Sequence, residues 1–300
     1  MIVNLITNWT AKKGLMRDAT LVAALLHSWG HATRAIQFTE VKQRADADLN
    51  VFLETVVPPC FDWAPRNWWI PNPEWASPEH LTHLPAFELV WCKTREAHRL
   101  FAPLSEAARH VGFESEDRYD PTVERTHEVL HVAGNNILKG TESVVEAWAQ
   151  SHGTLPPLTI VGDVLAPRAI SGVTFLRDLP DEELRRLQNR CRIHLCPSET
   201  EGWGHTIHEG LSVGARVIVT DAPPMNESRG VNVILSARPI ARRHLATLYQ
   251  VRLGHLVQAI NDGWPWMPGD ALERERTTWV RRWGHEDRDA FRVRLQEALG

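Results

Sequence analysis

Short apolar segments of strand length alternate with amphipathic helical segments along most of this 300-residue chain. The first such unit predicts a strand at Ile2 to Ile6, a loop through Gly14, and a helix from about Asp18 that ends near Gly30. Consecutive parallel strands need a long crossover connection, which is usually a helix. The alternation therefore predicts an α/β protein whose parallel sheets are covered by helices on both faces.

The chain is long enough for two domains that each bury a core. A charged, apolar-poor segment that ends in proline, Glu114–Pro121, separates two sets of predicted strands. We therefore expect domains at 1–120 and 121–275, followed by a terminal helical segment at 276–300. The predicted strands lie at 35–38, 50–53, 67–70, 89–92 and 111–113 in the first domain, and at 129–132, 158–161, 173–176, 193–196, 217–220 and 231–235 in the second.

Composition excludes several classes of function. The formal net charge of -4 gives no general attraction to nucleic acid or anionic lipid. The four cysteines have neither metal-ligand spacing nor the density of a disulfide scaffold, which favours a reducing, cytoplasmic setting. No apolar run reaches the length of a membrane span, so no stable membrane insertion is expected.

The second half of the chain contains two glutamates eight positions apart, Glu201 and Glu209, around a Gly-Trp-Gly turn at 202–204. An apolar run before the turn predicts a buried strand, and Thr206 onward predicts a helix. Glycines let the backbone approach a ligand, and the amides and dipole of a first helical turn favour phosphate. Carboxylates suit pairs of sugar hydroxyls. The segment therefore predicts a phosphate site flanked by hydroxyl-binding groups, although ordinary surface glutamates beside a Rossmann-like loop would give the same pattern.

This segment is similar to the donor-site motif of retaining GT-B glycosyltransferases of group 1 (family 4-like), in which Glu, seven residues and Glu follow a Pro-Ser pair. Further segments match the family in the same order along the chain. They are a strand, a Lys-Gly pair and a helix at 131–148, a strand and helix at 173–184, and a strand at 215–221. The resemblance implies two Rossmann-like, doubly wound domains that face a cleft, with the terminal helix crossing back to the first domain.

The resemblance also implies an enzyme, a retaining and metal-independent glycosyltransferase. It would move a hexose from a nucleoside diphosphate sugar to an acceptor hydroxyl, with a UDP-sugar favoured over a GDP-sugar and no cofactor. Glu209 would hold the ribose hydroxyls, Glu201 the hexose hydroxyls, and Lys139 the leaving phosphate, where charge grows in the transition state. The expected catalytic residues are Lys139, Glu201 and Glu74, and the other expected donor-binding residues are Gly14, Asn135, Gly202, Trp203, Gly204, His205 and Thr206. A solvent-exposed lysine at a helix start remains the alternative for Lys139.

One departure from the family concerns a cation. Many relatives carry an arginine six residues before the lysine, where this chain has Ala133. Asn135 or Asn136 would then donate hydrogen bonds to the phosphates, or a basic residue of the first domain would substitute, with Lys93 as the candidate.

The first domain matches the family more loosely. Its loop at 8–16 takes the place of a glycine-rich loop but contains only Gly14. Glu74 or Asn72 follows a strand where relatives often carry a catalytic histidine. A rigid, proline-fixed loop with Trp75 in the core is an equally good interpretation.

Two other features invite a functional interpretation. The Asp-x-Asp sequence at 46–48 copies the metal motif of the other glycosyltransferase fold, but it precedes a strand on a predicted surface turn, so we do not assign it a metal. Trp63 or Trp75 could stack on an acceptor sugar, although a core position is the commoner role for tryptophan.

Two other functions stay open. A nucleotide-sugar epimerase or hydrolase of the same fold would consume the donor without an acceptor, and a non-catalytic sugar-nucleotide binding module would be compatible with the missing arginine. The acceptor classes considered are a glycan, a small molecule and a modified nucleic acid, of which the last gains no support from the acidic net charge.

Overall fold

The computed structural model of the chain describes residues 1–10, 14–41, 43–163, 168–231, 233–263 and 271–300. The chain divides into two compact units. The first comprises Met1–Phe113, Arg242–Ala246 and Arg294–Gly300, and the second comprises Glu114–Ala241 and Thr247–Val293. Each unit contains one six-stranded sheet.

The sheet of the first unit is parallel throughout, with the order β2-β1-β3-β4-β5-β6. Its strands are β1 (Ile2–Thr7), β2 (Ala32–Gln37), β3 (Leu49–Leu53), β4 (Arg66–Ile70), β5 (Leu89–Cys92) and β6 (Ala108–His110). Its helices are α1 (Gly14–Ser28), α2 (Pro78–Thr82) and α3 (Arg95–Phe101), with 3-10 turns at Pro58–Trp63 and Leu84–Ala86. Every residue of β3 and β5 is buried, as expected for strands covered on both faces.

The sheet of the second unit is also parallel, with the order β12-β11-β10-β7-β8-β9. Its strands are β7 (Thr126–Gly134), β8 (Leu158–Gly162), β9 (Val173–Leu176), β10 (Cys191–Cys196), β11 (Arg216–Thr220) and β12 (Val233–Leu235), and β13 (Ala237–Arg243) pairs separately with β14 (Ala246–Val251). The helices are α4 (Thr141–Ser151), α5 (Asp181–Arg190), α6 (His205–Ser212), α7 (Leu253–Gly263) and α8 (Ala271–Leu299), and a 3-10 turn lies at Ile137–Lys139. Trp148 of α4 is fully buried in the core beside β7 and β10.

All predicted strands but one coincide with or overlap an observed strand. The exception is 111–113, because the edge strand is β6 at Ala108–His110. Val111 and Phe113 are buried after that strand has ended, and the amide of Val111 donates to the Cys92 carbonyl at 3.1 Å. The apolar pattern at 111–113 therefore reflects a buried segment that follows β6, and not a strand paired in the sheet. The pair β13 and β14 was not predicted.

The N-terminal stretch of the first unit ends at Phe113, whereas the predicted domain boundary lies at 120. The segment 114–121 contains no helix or strand, yet its Arg118 is fully buried and donates to the Asp181 carboxylate at 3.0 Å within the second unit. The charged composition that predicted a linker thus reflects an internal ion network. Helix α8 spans Ala271–Leu299, and of this terminal segment only Arg294–Gly300 belong to the first unit.

All four cysteines are buried and none forms a disulfide. Burial raises the pKa of the Cys92, Cys191 and Cys196 thiols to about 12, so these side chains are neutral and poor nucleophiles near pH 7. In the described part of the chain, no helix combines the length and hydropathy needed to cross a bilayer.

Candidate active site

The second sheet reverses its strand order between β7 and β10. Strands β8 and β9 continue on one side of this point, and β11 and β12 continue on the other. The loops after β7 and β10 therefore leave in opposite directions and open a crevice at the carboxyl edge, where ligands of open α/β sheets bind. The loop after β7 carries Lys139, and the loop after β10 carries Glu201.

Lys139 and Glu201 meet directly in this crevice. The Lys139 Nζ donates to Glu201 Oε1 at 2.6 Å, and Ser198 Oγ donates to the same oxygen at 2.6 Å. The lysine side chain is 14% exposed and that of the glutamate 6%. Burial disfavours the charged amine, but the Glu201 carboxylate outweighs this effect and the pKa of Lys139 is raised. The site therefore contains a largely buried ammonium-carboxylate pair.

Local backbone contacts explain why Lys139 points at Glu201. The amide of Leu138 donates to Asn136 Oδ1 at 2.9 Å, which begins the 3-10 turn, and the amide of Glu199 donates to the Leu138 carbonyl at 2.8 Å. Gly140 then adopts a left-handed conformation with φ of 68°. A Cβ on Gly140 would overlap the Pro197 carbonyl, so only glycine permits this approach of the two loops.

Glu209 lies on α6, which begins after Gly204. Gly204 has φ of 87°, and its carbonyl accepts hydrogen bonds from the amides of Ile207 at 2.9 Å and His208 at 3.2 Å. Glu209 is buried, and its Oε2 accepts from Gln188 Nε2 at 2.7 Å. Its charge also contributes to the raised pKa of Lys139. Both glutamates therefore act electrostatically on Lys139.

Aromatic side chains of the Gly-Trp-Gly turn and of α6 pack against the segment before β7. The Trp203 indole donates to Ser115 Oγ at 3.0 Å, and His205 Nδ1 lies 2.8 Å from the same oxygen. Trp203 stacks on the His208 ring, with centroids 4.0 Å apart and planes 3° from parallel. Burial, with a smaller effect of His205, lowers the pKa of His208 to about 3, so this ring is neutral near pH 7. One face of Trp203 is thus used for packing within the unit.

The remaining predicted residues of the second unit surround the same turn and helix start. Gly202 is buried, Thr206 is half-buried in the first turn of α6, and Asn135 is exposed in the turn that follows β7. Asn135 is therefore accessible as a neutral hydrogen-bond donor next to the Lys139 loop.

The predicted residues of the first unit lie on that unit's own sheet edge. Gly14 is the first residue of α1, and residues 11–13 of the predicted phosphate loop lie outside the described residues. Glu74 is buried in the loop after β4. Lys93 is also buried, and its Nζ donates to Asp18 Oδ2 at 2.7 Å. The expected substitute for the missing arginine thus already has a carboxylate partner within its own unit.

One feature of the first unit was not predicted. Glu54, directly after β3, has φ of 63° and accepts from Asn72 Nδ2 at 2.7 Å. Burial raises the pKa of Glu54.

The two tryptophans considered for acceptor stacking differ in exposure. The guanidinium of Arg243 lies over the Trp75 ring at 3.7 Å, while Trp63 is buried. Trp75 therefore lies at the surface rather than in the core, where the structural interpretation of its loop placed it.

The Asp-x-Asp sequence has structural partners. Asp46 accepts from Arg44 Nε at 2.6 Å, and Asp48 accepts from the Ile2 amide at 2.6 Å. Within the described ranges, no group of three or more His, Cys, Asp and Glu side chains is placed to hold a metal ion.

Sequence reasoning missed three polar residues of this site, Ser115, Arg118 and Gln188. Ser115 and Arg118 lie in the segment that composition assigned to a linker, and Gln188 lies among the polar residues of α5. Their burial is the only signal that separates them from surface residues, and no local pattern encodes it.

The chain is similar to known proteins in sequence over one segment and in fold over its whole length. Residues 126–247 match the family model of the glycosyl transferases group 1. No curated protein sequence matches the chain. Among solved structures, a glycosyltransferase from Rickettsia africae ESF-5 aligns over 99% of this chain and 97% of its own, with 13% identity and a TM-score of 0.72.

Two further solved structures have the same fold. The sucrose-phosphate synthase of Thermosynechococcus elongatus aligns over 99% of this chain and 97% of its own, with 12% identity and a TM-score of 0.65. The Anabaena protein HepE, solved in complex with UDP, aligns over 99% of both chains with 16% identity and a TM-score of 0.65. The whole chain therefore has the GT-B fold, and its residues 126–247 match the group 1 glycosyl transferases.

Proposed function

We propose that this protein is a glycosyltransferase, which moves a hexose from a nucleoside diphosphate sugar to an acceptor hydroxyl, with retention at the anomeric carbon and without a metal ion. The observation that carries the proposal is the convergence of Lys139, Glu201 and Glu209 in the crevice where the second sheet reverses its strand order. A UDP-sugar is the favoured donor, and the UDP complex of the Anabaena relative supports that choice.

Each part of the donor has a chemically suited partner in the second unit. The first-turn amides and the dipole of α6 suit the diphosphate, and Glu209 on the same helix suits the ribose diol. Glu201 suits the hexose hydroxyls. Its carboxylate already holds the Lys139 ammonium at 2.6 Å, so the cation lies beside the bond that breaks.

The chemical step needs no nucleophile from the protein. The bond between the anomeric carbon and the phosphate oxygen breaks, and a bond from the acceptor oxygen to that carbon forms on the same face. The acceptor proton passes to the departing phosphate oxygen. Negative charge grows on that phosphate, and Lys139 supplies the positive charge that a divalent metal ion supplies in other transferases.

The experiment is a turnover assay with UDP-hexoses and a panel of acceptor alcohols, with the anomeric configuration of the product read by NMR. We expect a retained configuration, full activity in excess EDTA, and a kcat lowered about 100-fold or more in Lys139→Ala. Lys139→Arg should recover only part of the rate, because a planar guanidinium does not replace a compact ammonium.

A matched control is Arg168→Ala, which removes an exposed cation of the same unit that pairs with Glu142 at 3.2 Å. This variant should turn over at the wild-type rate. An inverted product, activity lost in EDTA and restored by Mn²⁺ or Mg²⁺, or a near-normal rate in Lys139→Ala would each contradict the proposal. Donor consumption that is independent of any acceptor would identify a hydrolase or an epimerase instead.

A further inference from the structure

Glu209 is held by a side chain from a different helix. Gln188 of α5 donates through Nε2 to Glu209 Oε2 at 2.7 Å. The other end of the same amide, Oε1, accepts from Arg118 Nε. All three side chains are buried, with exposures of 0% to 1%. An unbroken hydrogen-bonded chain therefore runs from Arg118 through Gln188 to Glu209.

Arg118 is anchored independently of this amide. Its guanidinium donates to the Asp181 carboxylate at 3.0 Å and to the Asp181 carbonyl at 2.9 Å, and its Nη1 donates to Glu116 at 2.9 Å. Its backbone amide donates to Ser212 Oγ at 3.1 Å. Because Asp181 begins α5 and Ser212 ends α6, Arg118 joins the start of one helix to the end of the other.

These contacts fix which way the Gln188 amide points. A glutamine amide has one accepting and one donating end, whereas a guanidinium can only donate. Arg118 must therefore face Oε1, which leaves the NH₂ end to face Glu209. A carboxylate accepts and does not donate, so this orientation satisfies both neighbours and the reverse orientation satisfies neither.

We propose that Gln188 is a positioning residue for Glu209 and that Arg118 sets it by fixing the orientation of its amide. The inference rests on the proposed role of Glu209 as the ribose ligand. A bond on Oε2 selects one rotamer of Glu209, and a carboxylate has about four acceptor positions, so its capacity for a diol is retained. Without that bond, Glu209 would have to be ordered by the ligand at the expense of affinity.

The test compares the calorimetric affinity of UDP with that of 2′,3′-dideoxy-UDP, which lacks the diol. Hydrogen bonds to a charged group predict that the wild-type protein binds UDP about 10- to 100-fold more tightly. Gln188→Glu retains an acceptor for Arg118 but presents a like charge to Glu209. We expect this variant to lose most of the preference for UDP while its affinity for the dideoxy nucleotide stays within about twofold of wild type.

The matched control is Gln150→Glu. Gln150 is exposed on α4 and donates to Glu146 at 3.0 Å, so the same chemical change is made next to a glutamate outside the crevice. It should leave both affinities unchanged. If Gln188→Glu does not fold, as judged by thermal unfolding, Gln188→Met replaces it, because this side chain has similar length and cannot donate to Glu209.

The outcomes separate the inference from the function beneath it. Equal losses for both nucleotides in a folded Gln188 variant would show a merely structural role and overturn the inference. An unchanged preference for UDP would overturn it as well. If Glu209→Ala abolishes the preference and the Gln188 variants keep it, only the inference fails. If wild type has no preference, or Glu209→Ala retains it, the ribose assignment fails and the inference fails with it.

Discussion

Breaking the Lys139–Glu201 pair should destabilise the folded protein as well as lower its turnover rate. Removing one member of a buried ion pair typically costs about 3–5 kcal/mol, because the remaining charge stays buried without its partner. The exposures of 14% and 6% and the 2.6 Å separation place this pair in that class. Ser198 Oγ still donates to Glu201 when the lysine is removed, so we expect a loss at the lower end of this energy range. We expect Lys139→Met and Glu201→Gln each to lower the free energy of unfolding by about 3 kcal/mol.

The assay is a double-mutant cycle followed by urea unfolding, with the m-value checked for constancy. The double variant has no unpaired buried charge, so its loss should fall short of the sum by about 2 kcal/mol or more. The exposed pair Arg168–Glu142, with side chains 53% and 64% exposed, is the control and should show a coupling below about 1 kcal/mol. Additive losses at the buried pair would refute the reasoning, since they would mean that the two charges do not compensate each other.

Urea unfolding should show that Gly140→Ala destabilises the protein by more than Gly172→Ala. Both glycines have a positive φ, but only at Gly140 would the new methyl group overlap a neighbouring carbonyl, that of Pro197. Equal losses, each near the 1–2 kcal/mol of a strained backbone alone, would contradict this. Burial lowers the pKa of His131 and His194 to about 4, so the unfolded chain binds protons below about pH 6.5 that the folded chain does not bind. The free energy of unfolding should be highest above that pH and should fall as the pH is lowered toward 4, by about 2 kcal/mol per histidine at pH 5. Equal melting temperatures at pH 8 and pH 5 would contradict this expectation.

The sequence predicted most of the two sheets because burial on both faces leaves a direct trace. A strand such as β5 is buried at all four positions, and its sequence, Leu-Val-Trp-Cys, is a continuous apolar run. The donor-motif turn was predictable for a similar reason, because Gly204 needs a positive φ at a helix start, and glycine is the residue that accepts it. Requirements of this kind determine the residue type at the same position, so the sequence shows them directly.

Contacts between distant polar side chains leave no such trace. Arg118 is charged, and its neighbours Glu116 and Asp117 are charged as well, so composition assigned their segment to an interdomain linker. A buried arginine is tolerated only when its donors are satisfied, and here the acceptors come from Asp181 and Gln188, far along the chain. Residue type predicts the cost of burying a charge, but only the fold shows the acceptors that offset it.

The absent arginine at position 133 illustrates the same limit and bears on the chemistry. Ala133 is buried at the end of β7, and its Cβ lies within 3.1 Å of where a Cβ on Gly162 would be, so two small residues are packed against each other there. Restoring the arginine would therefore require room as well as charge. Lys93 is committed to Asp18, and Lys139 is the only lysine after it in the sequence. If Lys139 faces the leaving phosphate as proposed, no second lysine of this unit can replace it, which is why we expect its removal to affect kcat so strongly.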